Sequence, residues 1–223
     1  MSRKKTITSE EWQKRLQKVK IPKTQMNKLV MNYLVTEGYQ NAAEKFQQES
    51  GAEAGVDLSV LENRMEIRKA IMKGQIDTAI SLINDLDPEI LDTNKKLNFR
   101  LRLQKLVEFI KNNNVCEALS FGQEELAPAA QHDSELLEEL EKAMTLLAFE
   151  DLTTSPVSEL VSPAYKQKLA SDVNAAILKN QGLNQNSSLQ VFMKMLIWSQ
   201  KKLQNAVSYP KIKDLANAKF EEP

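Results

Sequence analysis

The chain has 223 residues, 42% hydrophobic and 27% charged, with no formal net charge, one cysteine and one histidine. Zero net charge leaves no overall electrostatic footprint for nucleic acid or an anionic membrane. One Cys and one His cannot supply the roughly four ligands of a structural zinc ion, so these residues hold no zinc finger or RING domain, and no intrachain disulfide.

Only six Gly and seven Pro interrupt a sequence rich in Leu, Glu, Lys, Gln and Ala, which favours helix over strand. Thr8 and Glu11 form a T-x-x-E capping box ahead of Trp12, Leu16 and Val19, predicting a short helix over 9–19 that Pro22 ends. Met26, Leu29, Val30, Tyr33 and Leu34 follow at helical spacing on one face. Gly38 stands where a left-handed residue closes a helix, with Tyr39 placed to touch Leu34 across the turn. Ala42, Ala43 and Phe46 mark a second helix ending near Ser50-Gly51, so 25–51 reads as a tight helix–turn–helix.

Residues 51–58 read as a linker, and Ser59 with Glu62 as the next capping box. Leu61, Met65, Arg68 and Met72, flanked by Ile67 and Ile71, mark a helix that Gly74 ends. Ile76, Ala79, Ile80 and Ile83 mark another, and Asp87-Pro88 starts a short turn through Leu91. The segment 94–111 is ambiguous: Leu97, Phe99, Leu101 and Leu103 alternate as in a strand, yet Phe99, Leu103, Leu106, Val107 and Ile110 fit a helix. Its length and lack of Gly or Pro decide for helix. An internal echo relates Lys73-Gly74-Gln75-Ile76 to Asn112-Asn113-Asn114-Val115, predicting the same left-handed turn at Gly74 and Asn113. Leu136, Leu140, Ala143, Met144 and Leu147 form a further stripe. Residues 150–163 read as a loop with one short turn, Ser162-Pro163 restarts a helix, and 182–188 is a second loop. Ser187 and Gln190 cap a last long helix carrying Phe192, Met195, Leu196, Trp198 and Leu203, which Tyr209-Pro210 stops. The fold class expected is all-α, in antiparallel helical hairpins.

Charge is unevenly spread. Residues 1–50 carry 10 basic and 5 acidic groups, whereas 121–160 carry 1 basic and 10 acidic. The acidic stretch reads as a solvated helix face, or as a surface for a basic partner. No apolar run approaches the roughly 18 residues of a membrane-spanning helix. The basic start Met1-Ser2-Arg3-Lys4-Lys5 runs into polar residues unlike a secretory leader, and reads as a solvated tail or a fragment of a nuclear import signal. The single Cys116 suits a reducing compartment.

Catalytic chemistry is sparse. Cys116 and His132 have no local partners for nucleophilic catalysis, no Gly-rich phosphate loop occurs, and Trp12, Trp198 and the four Tyr read as core anchors rather than a base-stacking platform. A helical enzyme using carboxylates and a divalent ion stays open as a minor alternative. No cofactor, metal site or small-molecule substrate is expected.

The segment from Met26 to Glu49 resembles a LisH motif, matched at Leu29, Val30, Tyr33, Leu34, Gly38, Ala43, Phe46 and Glu49. Arg64 to Ile83, then 87–94 and the helix to Ile110, look like a CTLH domain. Glu138 to Glu150, and Pro163 onward, look like the CRA domain that completes the trio. The order resembles the LisH–CTLH–CRA family of scaffold subunits in GID/CTLH ubiquitin ligases. The resemblance implies an N-terminal segment 1–24 with a short helix, LisH at 25–57, CTLH at 58–115, CRA at 116–217 and a tail at 218–223. It implies a non-catalytic adaptor that bridges RING-bearing and SPRY-type or substrate-receptor subunits, self-associates through LisH, and works in the cytoplasm and nucleus. A LisH dimeriser of a cytoskeletal or transcriptional assembly is the rival.

Leu29, Val30, Tyr33, Leu34, Tyr39 and Phe46 are the expected dimer interface. Periodicity alone would pack this stripe on the chain's own helices, and the resemblance assigns part of it to another chain. Burying five such side chains at roughly 1.5–3 kcal/mol each, in two copies, exceeds an association cost of roughly 4–15 kcal/mol only modestly, so larger contacts are expected to help. Phe99, Leu103, Leu106, Ile110, Phe192, Met195 and Leu196 are the expected partner-binding residues, chosen for the density of Leu, Met and Phe at 97–110 and 189–203.

Overall fold

Several helix starts follow side-chain caps. The computed structural model describes residues 5–215, 217 and 219–221. The basic start at 1–4, and residues 218, 222 and 223 of the expected tail, lie outside the described residues. The first short strand, β1 (Lys5–Thr6), precedes α1 (Ser9–Gln17), whose N-cap Thr8 accepts from the Glu11 N–H at 3.3 Å. Then come α2 (Lys23–Glu37), α3 (Gln40–Ser50), α4 (Glu62–Lys73), α5 (Ile76–Leu86), α6 (Glu89–Thr93), α7 (Lys95–Lys111), α8 (Val115–Phe121) and α9 (Ala127–Ala130). The order closes with α10 (Ser134–Thr145), α11 (Pro163–Asn180), α12 (Ser188–Leu203), β2 (Val207–Ser208), β3 (Lys211–Asp214) and β4 (Lys219–Glu221). The fold is all-α, with strands confined to the two ends of the chain.

Two compact units are interleaved in sequence. One gathers the described residues of Met1–Leu34, Ala43–Ala54 and Asn186–Pro223; the other gathers Val35–Ala42 and Gly55–Gln185. In the larger unit α7 separates two cores. Its Leu97 and Leu101 join Ile67, Ile71, Ile83 and Ile177, while its Phe99, Leu103, Leu106, Val107 and Ile110 join Ala118, Leu126, Leu140 and Leu146. Because two different cores take Leu97 and Leu101 on one side and Phe99 and Leu103 on the other, with Asn98, Arg100 and Arg102 between them, 97–103 also scans like a strand.

The echo between Gly74 and Asn113 is a matched pair of turns. Both are left-handed, at φ 76 and 62. At each, the left-handed residue's N–H donates to the carbonyl three residues back (Ile71 at 3.0 Å, Ile110 at 3.0 Å), and the next N–H reaches five back (Ala70 and Phe109, 2.9 Å each). These paired bonds satisfy carbonyls that a helix end leaves without partners. Gly182 repeats the pattern after α11, with bonds to Lys179 and Leu178.

Several local expectations are corrected. Asp57, not Ser59, does the capping ahead of α4: its carboxylate accepts from the Ser59 N–H at 3.0 Å and starts a 3-10 turn, Leu58–Leu61, that runs into the helix. The loop at 150–163 holds two 3-10 turns, Leu152–Thr154 and Ser158–Val161, not one. Between α8 and α9 a π turn, Gly122–Leu126, carries the helical path toward Pro128, which has no N–H to continue a regular ladder. The expected tail contributes β4, paired antiparallel to β3.

In the smaller unit the two ends of the chain meet. Lys5 and Thr6 pair in parallel with Val207 and Ser208, and the Trp12 and Tyr209 rings lie 5.4 Å apart. The Ser187–Gln190 capping box at the start of α12 is complete, and the Ser188 N–H donates to Asn32 Oδ1 of α2 at 2.7 Å. Gln200 of α12 holds the backbone of Ile212 from both sides, accepting from its N–H at 2.8 Å and donating to its carbonyl at 3.3 Å.

Candidate interaction surfaces

A long helix must hide its apolar face or offer it. Four of the seven side chains read from sequence as partner-binding are hidden: Phe99, Leu103, Leu106 and Ile110 of α7 are 3%, 1%, 0% and 7% exposed. They form the centre of the chain's own core, and a partner-facing role for them is withdrawn. The other three lie on α12, which contains no buried residue.

Two apolar faces run along α12. Leu189, Met193 and Leu196 are half-buried, whereas Phe192, Met195 and Trp198 are 56%, 61% and 62% exposed, beside exposed Val191 and Ile197. Leu196 therefore belongs to the covered face, and Phe192 and Met195 to the open one. Trp198, read from sequence as a core anchor, is a surface residue with Lys202 lying 5.7 Å over its ring. Trp12 is half-buried against Tyr209. The register of Val191, Met195 and Trp198, at i, i+4 and i+7, was the available signal for a single open face. Every charge on α12 is positive, from Lys194, Lys201 and Lys202.

The expected dimer residues are neither open nor closed. Leu29, Val30, Tyr33, Leu34, Tyr39 and Phe46 are all half-buried. Buried completely in the same segment are Met31 and Ala43, at 2% and 0% exposure. Met31 was missed because it falls off the 26–29–30–33–34 face; its spacing to Leu34 and Val35 was the signal. In this unit Leu16, Val19, Ile21 and Met26 also expose much of their apolar surface.

Two cations are buried on α4: Arg68, which its spacing already placed on the apolar stripe, and Arg64, which that reading left off it. Arg64 and Arg68, on the apolar stripe of α4, are each 8% exposed. Arg64 donates to the Val35 carbonyl at 3.0 Å, the Thr36 carbonyl at 3.0 Å and Asn174 Oδ1 at 2.9 Å. Arg68 donates to the Glu37 carbonyl at 3.2 Å and its carboxylate at 3.1 Å, and its guanidinium lies 4.8 Å over the Tyr39 ring. Burial, then the neighbouring Arg68 charge, lowers the Arg64 pKa, with Glu37 opposing. The signal was a pair of arginines at i and i+4 on an otherwise apolar face.

Part of the acidic stretch pairs with cations of the same chain. Lys96 pairs with Asp133 and Glu135, Arg100 with Glu135 and Glu139, and Arg102 with Glu125. The cations of α7 thus face Glu125, Asp133, Glu135 and Glu139, while the rest of the stretch stays a solvated face. The hydrogen bond to Glu139 raises the Arg100 pKa, and burial raises that of Tyr165 in the adjoining cleft of about 220 Å³. That cleft is lined by Arg100, Lys142 and Lys168 against Glu139, Glu159 and Asp172, so its charges balance. Cys116 and His132 are exposed. Among the described residues no cluster of three His, Cys, Asp or Glu side chains is placed to hold a metal ion, and no helix is long and apolar enough to cross a membrane.

Residues 24–50 match the LisH family, and residues 60–204 match the family described as CTLH/CRA C-terminal to LisH motif domain. A "Protein GID8 homolog" of Arabidopsis thaliana is 50% identical over 99% of this chain and 90% of its own length. A glucose-induced degradation protein 8 homolog of Dictyostelium discoideum is 46% identical over 99% of this chain and 96% of its own. GID complex subunit 8 of Schizosaccharomyces pombe is 33% identical over 98% and 96%. With both family matches in order and relatives aligned along nearly its whole length, the chain belongs to the family of LisH proteins that carry a C-terminal CTLH/CRA domain.

Proposed function

We propose that the chain is a non-catalytic scaffold subunit of a GID-type ubiquitin ligase. It joins RING-bearing subunits to SPRY-type or substrate-receptor subunits that share the LisH–CTLH–CRA architecture, in the cytoplasm and nucleus. Relatives named for glucose-induced degradation and as a GID complex subunit support the assembly. The observation that carries the mechanism is the open face of α12: Phe192, Met195 and Trp198 are more than half exposed on a helix with no buried residue. Apolar rows rimmed by charge mark protein-binding surfaces, and buried aromatics dominate their energetics. Lysines along α12 favour a companion that brings an apolar helix face with an acidic rim. The LisH stripe, only half-covered, adds a second contact for self-association.

The test is a native-level pull-down with partner identification, comparing the natural chain with one carrying Phe192→Ser, Met195→Ser and Trp198→Ser. The natural chain is expected to recover RING-bearing and other LisH–CTLH–CRA subunits, and the variant to lose at least one of them while keeping its helicity. Recovery of no such companion, or equal recovery by the variant, would overturn the reading. Self-association is checked separately by the light-scattering mass of Leu34→Asp, where an unchanged oligomer with intact helicity removes LisH pairing.

A further inference from the structure

We infer that Arg64 and Arg68 are positioning residues for the LisH turn: they stand in for the missing next turn of α2, so that residues 35–42 fold as part of the CTLH–CRA unit and not as a free-standing hairpin. Residues 35–42 fall in the larger compact unit, with α4 and α11. A helix ends with carbonyls that have no intrahelical donor. At the end of α2 the carbonyls of Val35, Thr36 and Glu37 receive guanidinium N–H groups from α4. Asn174 of α11 adds a further donor to the Thr36 carbonyl at 2.8 Å. The negative end of the helix dipole and the Glu37 carboxylate both favour cations at this place.

Packing accompanies the bonding. Gly38 is left-handed at φ 77, and a Cβ there would sit 3.5 Å from Arg64 Cβ and 3.6 Å from Asn174 Oδ1. The turn thus lies in ordinary contact with these side chains, its constraint coming from the left-handed φ, and the Arg68 guanidinium lies over the Tyr39 ring. A helix–turn–helix of this length is below the roughly 40 residues at which a core usually sustains itself, which fits an outside support for its turn. This positioning role is a property of the chain's own fold and does not depend on which partner α12 takes.

Hydrogen-exchange mass spectrometry on the full chain tests it, with an Arg64→Met/Arg68→Met double variant and the milder Arg68→Lys. Lysine keeps the charge but loses the planar fork. The double variant is expected to exchange at 38–42 roughly 10-fold faster or more, the loss of several charge-assisted bonds, with protection in α5 and α7 retained. Arg68→Lys is expected to give a smaller acceleration confined to the same residues. Unchanged exchange at 38–42 in the double variant would overturn the proposal. If the double variant unfolds throughout, Arg68→Lys decides: acceleration confined to the turn supports the proposal, and none, or an even loss across the chain, overturns it.

Discussion

Helices α7 and α12 look alike as sequence and differ as structure. Both carry dense large apolar residues at helical spacing (Leu, Phe and Ile in α7, Leu, Phe and Met in α12), both are long, and both were expected to bind partners. The chain covers α7 on two sides, leaving eight of its residues buried, and leaves α12 with none. Apolar density therefore does not by itself leave a face open; absence of cover from the same chain does. Which of the two applies depends on residues distant in sequence. Leu140 and Leu146 cover α7, and no sequence window contains both them and Phe99.

The comparison breaks most visibly at α7. Leu106 is wholly buried, and Leu106→Ala is expected to cost about 2–5 kcal/mol of global stability, read from a denaturant titration with an unchanged slope. A cost below about 1 kcal/mol would mean that α7 is not the centre of the core.

Gly74 tests how closely α5 and α7 approach. It is left-handed at φ 76, and a Cβ would fall 2.5 Å from Glu108 Oε2. Glu108 cannot simply swing away, because Gln104 donates to it at 2.7 Å and Lys166 pairs with it at 3.2 Å, both buried. Gly74→Ala is expected to cost about 1–3 kcal/mol, combining backbone strain with a displaced carboxylate. At Asn113 the same turn tolerates a side chain, so Asn113→Ala is expected to cost less. Equal costs would show that φ alone, and not the approach of Glu108, sets the penalty.

Much of this architecture was legible in the chain itself. Caps at Thr8, Ser162 and Ser187 and the left-handed turns at Gly38, Gly74 and Asn113 are local chemistry, readable within five residues. The interleaving of LisH with α12 was not legible, because it joins Asn32 to Ser188 across most of the chain. The arginine joint was hidden for a similar reason: Arg64 finds its acceptors at Val35, Thr36 and Asn174, none of them near in sequence. Of the expected interface, Phe192 and Met195 lie on the open face, while Leu196, one residue on, is turned to the covered side. A single step along a helix rotates a side chain by about 100°, enough to move it between faces.

A smaller effect is expected at the start of α12. The Ser187 hydroxyl accepts from the Gln190 N–H at 3.2 Å and is 1% exposed as a residue. Ser187→Ala is expected to cost about 1 kcal/mol, seen as faster hydrogen exchange at 188–191. Protection there that survives the substitution would mean that the Asn32 contact alone holds the helix start.

The smallest effect on stability is expected where the effect on assembly is largest. Trp198 keeps 62% of its surface open and Phe192 56%, so little is removed from water when the chain folds. Trp198→Ala and Phe192→Ala are each expected to change unfolding free energy by no more than about 0.5 kcal/mol, the ordinary range for surface positions. If the same side chains are anchors for a companion helix, each should weaken its capture by about 2 kcal/mol or more, roughly 30-fold in dissociation constant. Folding and binding are then separated in one pair of substitutions: α7 is where this chain finishes itself, and α12 is where another chain must. A substitution at Trp198 that destabilised the isolated chain as much as Leu106→Ala would erase that distinction, because the open face would have to be closed in solution by the chain's own residues.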